Sequence, residues 1–275
     1  MESNTSVSHT KSIVDSLGKS PYLNSDCSSP IVVSSTLLIG GFTVEVIVPE
    51  GVVKGNLLVL PGWNHSRQNW CNNTSLCKEA LKRGYRVILP EMGKSLYSTC
   101  YYPETRPDLR NFPTRNWLVN ILVPTLQLKH CILNDNERNF VIGLSYGGRG
   151  VALAVLGHPH LFTAAAALSG DYDLSRPRRS PLMEALYGKY EQFPERWEGV
   201  ENPIRQVAHF QTPIYLGHGQ KDTTANPEQT RIFFQSLRNH HPFLATILSM
   251  PPDGEHNYKY WDSEVNKILH FFEDI

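Results

Sequence analysis

The sequence predicts an α/β fold with a mostly parallel central sheet and helices on both faces. Three observations point to it. Short apolar runs recur along the chain, among them 55–60 (GNLLVL), 85–90 (YRVILP) and 138–144 (RNFVIGL). Several of these are apolar through most of their length rather than at alternate positions. Segments with helical spacing stand between them. A strand that is apolar on both sides needs cover on both sides, and crossover helices supply it in parallel sheets.

The elements follow in chain order. Eleven of the 22 serines fall in the first 35 residues, so 1–30 read as a polar arm and 31–275 as a single domain. Residues 42–48 (FTVEVIV) alternate as a strand does, and 55–60 form a buried strand ending at the turn Pro61-Gly62. Residues 76–83 (LCKEALKR) predict a helix closed by Gly84, followed by the strand at 85–90. Helical spacing spans 115–130, where Pro124 marks a kink or a boundary. A strand at 138–144 leads into a small-residue helix at 147–157, and 163–169 (TAAAALS) fit a further strand. Residues 171–212 hold four prolines and break the rhythm, which predicts an excursion over one edge of the sheet. Strands at 213–217 and 244–249 and helices at 227–239 and 262–273 complete the chain.

Charge and cysteine content narrow the function. Lys+Arg and Asp+Glu both number 26, so there is no basic footprint for nucleic acid or an anionic membrane, and the expected partner is a small molecule. The five cysteines (27, 71, 77, 100 and 131) are odd in number and lack a CxxC pair. They are expected to be reduced structural thiols, with Cys71 to Cys77 as the most that could bridge, and no metal site is expected. The first twenty residues lack the apolar stretch of a signal peptide, and no run approaches the ~18 apolar residues of a membrane helix. A cytoplasmic protein is expected, or a secreted one if a leader is missing. Only in a secreted chain would the sequons at Asn4, Asn64, Asn72 and Asn73 matter.

The chemistry-bearing motif is Gly143-Leu144-Ser145-Tyr146-Gly147, a G-x-S-x-G between a strand and a helix. A nucleophilic serine on a sharp strand-to-helix turn needs glycines beside it, because side chains there would strike the neighbouring helix and strand. The turn raises the hydroxyl above the sheet and brings the Tyr146 N–H to a developing oxyanion. Serine also needs a base, and the base needs an orienting acid, in the chain order Ser, Asp or Glu, His. Of the histidines after Ser145, His256 lies in a loop at the carboxyl end of the strand 244–249, where a parallel sheet gathers its functional groups. His158 and His160 follow the elbow helix, His240 and His241 cap another, and His270 sits within the last. The acid is read as Asp222, straight after the strand 213–217, with Asp171 and Asp173 as rivals. A second oxyanion donor is expected from the loop LPGWNH, at Trp63 N–H, with the Asn64 side chain in support. Asn64 and Tyr172 are the candidate substrate contacts.

Three blocks together resemble a known group: GLSYGGRGVALAVLGHPHLFTAAAALSGDYD, YGKYEQFPERWEGVENPIRQVAHFQTPIYLGHGQKD and GEHNYKYW. They are similar to the esterase D-type esterases of the α/β-hydrolase superfamily. That group includes S-formylglutathione hydrolases, feruloyl and acetylxylan esterases, enterochelin esterases and mycolyltransferases. The resemblance spans 55–273 and implies the α/β-hydrolase fold, with Ser145 as nucleophile, Asp222 as acid and His256 as base. LPGWNH departs from the group's Leu-His-Gly opening, and residues 91–117 match nothing in it closely, so the substrate does not carry over. The expected function is a serine hydrolase that cleaves a carboxylic ester through an acyl-enzyme, without cofactor or metal. A thioesterase or acyltransferase on the same scaffold is the alternative in kind, and a non-catalytic hydrolase-like binding protein the alternative in class. A peptidase of this fold usually carries an added propeller, for which 275 residues leave no room.

Overall fold

A computed structural model describes residues 29–175 and 180–275. The polar arm expected at 1–30 therefore lies almost wholly outside the described residues. Among the described residues, eight strands form one sheet in the order β1-β2-β4-β3-β5-β6-β7-β8. They are β1 Ser35–Ile39, β2 Phe42–Ile47, β3 Gly55–Leu60, β4 Tyr85–Pro90, β5 Asn139–Leu144, β6 Ala164–Leu168, β7 Ile214–Gly217 and β8 Thr246–Ser249. β1 pairs antiparallel with β2, and β2 with β4; every other pairing is parallel. The seven strands read from sequence are present. β1 was not among them: it is short, opens with Ser35-Thr36 against the serine-rich segment and leaves Leu38 exposed. Its signal was Gly40-Gly41, a hairpin turn in which both residues take positive φ.

The predicted two-sided cover is met by residue parity. Leu58, Leu60, Ile88, Val141, Ala165 and Leu216 share one apolar cluster with Leu126, Val151 and Phe233. Those three come from α4 Val123–His130, α5 Tyr146–Gly157 and α8 Pro227–His240. The alternate residues Leu57, Val59, Val87, Phe140, Ile142 and Ala166 face Trp70, Ala80 and Phe272. These come from α1 Asn69–Asn73, α2 Leu76–Lys82 and α9 Tyr258–Asp274. Phe272 stacks on Phe140 with centroids 4.6 Å apart. Ahead of α4 come α3 Arg115–Trp117 and a π-helical turn Leu118–Leu122, so Pro124 stands just past a π-turn in a continuous helical run, where the hydrogen-bond ladder is already irregular.

The excursion contains α6 Pro181–Tyr187, α7 Pro194–Glu198 and a 3-10 turn Pro203–His209. It has its own small core, in which Leu96 and Leu109 pack with Met183, Leu186, Tyr187 and Trp197. Arg149 of α5, wholly buried, joins it to the sheet. Its guanidinium donates to Leu96 O, to Tyr187 Oη at 2.8 Å and to Glu201 O at 2.7 Å.

The expectation of reduced thiols is corrected. Cys71 and Cys77 form a disulfide with Cα atoms 5.1 Å apart, tying α1 to α2, and Cys131 is also disulfide-bonded. The reason is geometric: six residues of sequence separation fold back through the turn between two short helices. Cys100 is free and exposed. Among the described residues, no helix is long and apolar enough to cross a membrane.

Candidate active site

The parallel register aligns the strand ends. Leu144 of β5 lies beside Leu168 of β6, Leu168 beside Gly217 of β7, and Gly217 beside Ser249 of β8. The next residue of each chain segment therefore opens onto one edge of the sheet, and the functional candidates lie in the loops that follow.

Ser145 caps β5 with φ +54° and ψ −126°, a conformation costly for a residue with a Cβ. The elbow holds because its neighbours are glycines. A Cβ on Gly143 would lie 2.3 Å from Gly147 O, and one on Gly147 would lie 2.4 Å from Leu60 O. Ser145 Oγ is 3.1 Å from His256 Nε2, and His256 Nδ1 is 2.7 Å from Asp222 Oδ2. The structure thus brings the three predicted residues into one line of hydrogen bonds. Trp261 sets its edge against the His256 ring at 5.0 Å between centroids, and its indole donates to Ser169 Oγ.

Asp222 is buried, which by itself pushes its carboxyl up. Hydrogen bonds from His218, His256 and the Ala225 N–H outweigh that and hold it well below the usual carboxylate range. Its Oδ1 accepts from Thr224 N at 2.9 Å and Ala225 N at 2.8 Å, and Oδ2 has His218 Nε2 at 3.2 Å. An acid so held stays ionised and keeps the His256 Nδ1 proton in place. The rivals are placed otherwise. Asp173 Oδ1 accepts from the Ser175 N–H and hydroxyl and from Asn202. Asp171 lies close enough to His256 and Asp222 to be felt electrostatically, but burial pushes its carboxyl up and it makes no hydrogen bond to His256.

The oxyanion candidates flank the serine. Tyr146 is the first residue of α5, where N–H groups lack intrahelical acceptors. The loop of Trp63 runs alongside: a Cβ on Gly62 would lie 3.4 Å from Ser145 Cβ. The Trp63 N–H has no acceptor among the described residues. Both residues line a cavity of about 400 Å³ together with Ser145, His256, Thr224, His65, Asn257, Tyr258 and Trp261. Asn64 is not brought there; it is exposed, in a left-handed turn with φ +59° that suits asparagine. Tyr172 is not brought there either. It is fully buried, stacked on Phe233 at 4.5 Å in the main core. Tyr172 follows the end of β6 by four residues, and the loop turns its side chain inward.

Sequence reasoning missed His65, Tyr258, Trp261 and His218. His65 had a signal, since it stands in the same loop as Trp63, the expected donor. Tyr258 and Trp261 fall in the segment expected to be loop before the helix at 262–273, whereas α9 begins at Tyr258 and turns both rings to the site. His218 stands four residues before Asp222, and only the fold turns it back onto that carboxylate.

A parallel sheet with a serine on a strained elbow and an acid and histidine at later strand ends defines the α/β-hydrolase class. The model of the prolyl oligopeptidase family matches residues 125–275, and the chain belongs to that family of serine hydrolases. Solved structures with the same fold include the fluorophosphonate-binding serine hydrolase F of Staphylococcus aureus. It is 18% identical, covers 87% of this chain and 97% of that one, and has a TM-score of 0.66. An S-formylglutathione hydrolase from Agrobacterium tumefaciens is 15% identical over 88% of this chain and 94% of that one, with a TM-score of 0.69. An acylaminoacyl peptidase from Pyrococcus horikoshii is 14% identical over 87% of this chain but 41% of its own, with a TM-score of 0.66.

Proposed function

We propose that the protein hydrolyses carboxylic esters of small molecules, with Ser145 as nucleophile, His256 as general base and acid, and Asp222 as the orienting carboxylate. The observation that carries this reading is the Ser145–His256–Asp222 line of hydrogen bonds opening into an uncharged, largely aromatic cavity. His256 Nε2 takes the hydroxyl proton as Ser145 Oγ attacks the carbonyl carbon. The N–H groups of Trp63 and Tyr146 receive the oxyanion. His256 then gives its proton to the leaving alcohol, and water, activated in the same way, releases the acid.

Membership of the prolyl oligopeptidase family favours a second reading, cleavage of an amide. Among the described residues lining the cavity, none carries a carboxylate to hold a charged peptide amine, which supports the ester. Paired p-nitrophenyl ester and p-nitroanilide substrates of increasing acyl length, run beside Ser145→Ala, separate the two. We expect ester turnover, abolished by the variant, together with fluorophosphonate labelling of Ser145. Anilide turnover exceeding ester turnover would establish the peptidase, and neither turnover nor labelling would sink the enzyme reading.

The disulfides support an oxidising compartment rather than the cytoplasm. Alkylation of protein from its native source without reductant should then leave Cys71 and Cys77 unmodified.

A further inference from the structure

The cavity holds a second histidine that the ester chemistry above does not use. His65 lines it with Ser145 and His256, and its Nδ1 is 2.9 Å from Tyr258 Oη. The two rings lie 5.7 Å apart, tilted by 31°. The Tyr258 hydroxyl can donate to His65 Nδ1, which fits the tautomer that leaves Nδ1 bare. An imidazole that accepts at Nδ1 carries its proton at Nε2. The His65 Nε2–H has no acceptor among the described residues. Burial, and then the nearby His256, push the His65 imidazole down, so it stays neutral beside a His256 that becomes charged during the reaction.

The location fixes which half of the substrate meets this donor. His256, Asn257, Tyr258 and Trp261 line the cavity together, and on the ester-hydrolase reading His256 Nε2 returns a proton to the leaving oxygen. The alcohol half of the ester therefore occupies this space, between His256 and His65. Trp63 and Trp261 also line this space.

Resting on the ester-hydrolase reading, we propose that His65, oriented by Tyr258, is a specificity-determining residue whose Nε2–H binds an oxygen in the alcohol half of the substrate. The preferred substrates are esters of oxygen-bearing alcohols, with an ether or hydroxyl beyond the scissile C–O bond, over esters of plain alkanols. A neutral donor in an uncharged cavity suits a neutral acceptor. A plain alkyl group placed there leaves the donor buried and unpaired, which disfavours that substrate.

The test uses 2-methoxyethyl acetate and n-butyl acetate, which differ by one oxygen in place of CH₂. The ratio of their kcat/KM values is measured by acetate release for the full chain, His65→Leu, His65→Gln and Tyr258→Phe. We expect the wild-type ratio to exceed that of His65→Leu by about tenfold, the net effect of one hydrogen bond. His65→Gln, which keeps an N–H donor, and Tyr258→Phe should fall between. A matched pair with the oxygen on the acyl side, p-nitrophenyl methoxyacetate and butanoate, should give one ratio in all four proteins. Nitrogen-15 shifts of His65 in Ser145→Ala should show Nδ1 bare and Nε2 protonated at neutral pH. An alcohol-pair ratio unchanged in His65→Leu, a change confined to the acyl pair, or a proton on Nδ1 overturns the proposal. If wild type is active and labelled by fluorophosphonate in such a case, the ester reading stands while this one falls. Absence of both acetate release and labelling removes the two together.

Discussion

Ser145 alone is an ordinary serine in a strained turn; its neighbours change what it can do. The hydroxyl faces His256 Nε2, and the far side of that ring is held by a carboxylate with donors on both oxygens. Asp222→Asn preserves the shape of the site but presents an amide that stabilises the wrong imidazole tautomer. Ester turnover should fall by about ten-thousandfold in kcat, read by steady-state kinetics, and a loss below tenfold would point to Asp171 instead. The same carboxylate makes a stability prediction. Its folded pKa lies below its unfolded value, so the folded state favours the ionised form. That stabilisation is complete above the unfolded value, about 4, and is lost as the pH falls below it. The gap in urea unfolding free energy between wild type and Asp222→Asn should narrow as the pH falls below about 4. A gap that widened in acid would contradict the assignment. The motif and strand-end logic made Ser145, Asp222 and His256 legible in the sequence. His65 and His218 were not legible, because a histidine's role depends on which atoms face it across the fold.

At the scale of elements, α1 and α2 are short helices of five and seven residues, below the length at which helices persist alone. The Cys71–Cys77 bond and the buried Trp70, whose indole donates to Leu60 O, hold them against β3. They also follow directly on the loop of Trp63 and His65. Replacing both cysteines by serine should lower the free energy of unfolding by about 2 kcal/mol, the loop-closure value for so short a ring, measured in urea without reductant. A change under about 0.5 kcal/mol would mean that the helices hold without the bond. Strand prediction succeeded where burial is two-sided, as in β3 and β5, because such strands are apolar in any context. It missed β1, an edge strand whose outward residues are polar or exposed and whose evidence was only the Gly40-Gly41 turn.

For the molecule as a whole, a buried cation of α5 joins the excursion to the rest of the domain. Arg149 donates to Leu96, Tyr187 and Glu201, and the Glu201 carboxylate lies 3.8 Å from it while also accepting from Thr99 N. Arg149→Met leaves that acid buried without its partner. The variant should lose about 3–5 kcal/mol in chemical denaturation, whereas Arg149→Met with Glu201→Gln should recover part of the loss. If the single variant unfolds like wild type, the excursion is held by its apolar core instead. Since Trp63 and Tyr146 pack against that core, the fastening also bears on the two residues proposed as oxyanion donors.

Local pattern was enough to determine the parallel sheet, the elbow glycines and the order Ser145, Asp222, His256. Each of these depends on which residue types stand at a strand, at its end or beside a turn. Contacts between distant segments needed the tertiary structure. It paired Cys71 with Cys77, buried Tyr172, exposed Asn64 and turned His65 toward Tyr258, 193 residues away. Composition and periodicity record whether a residue is buried on a strand or helix, but carry no term for the atom that will face it once the chain has folded.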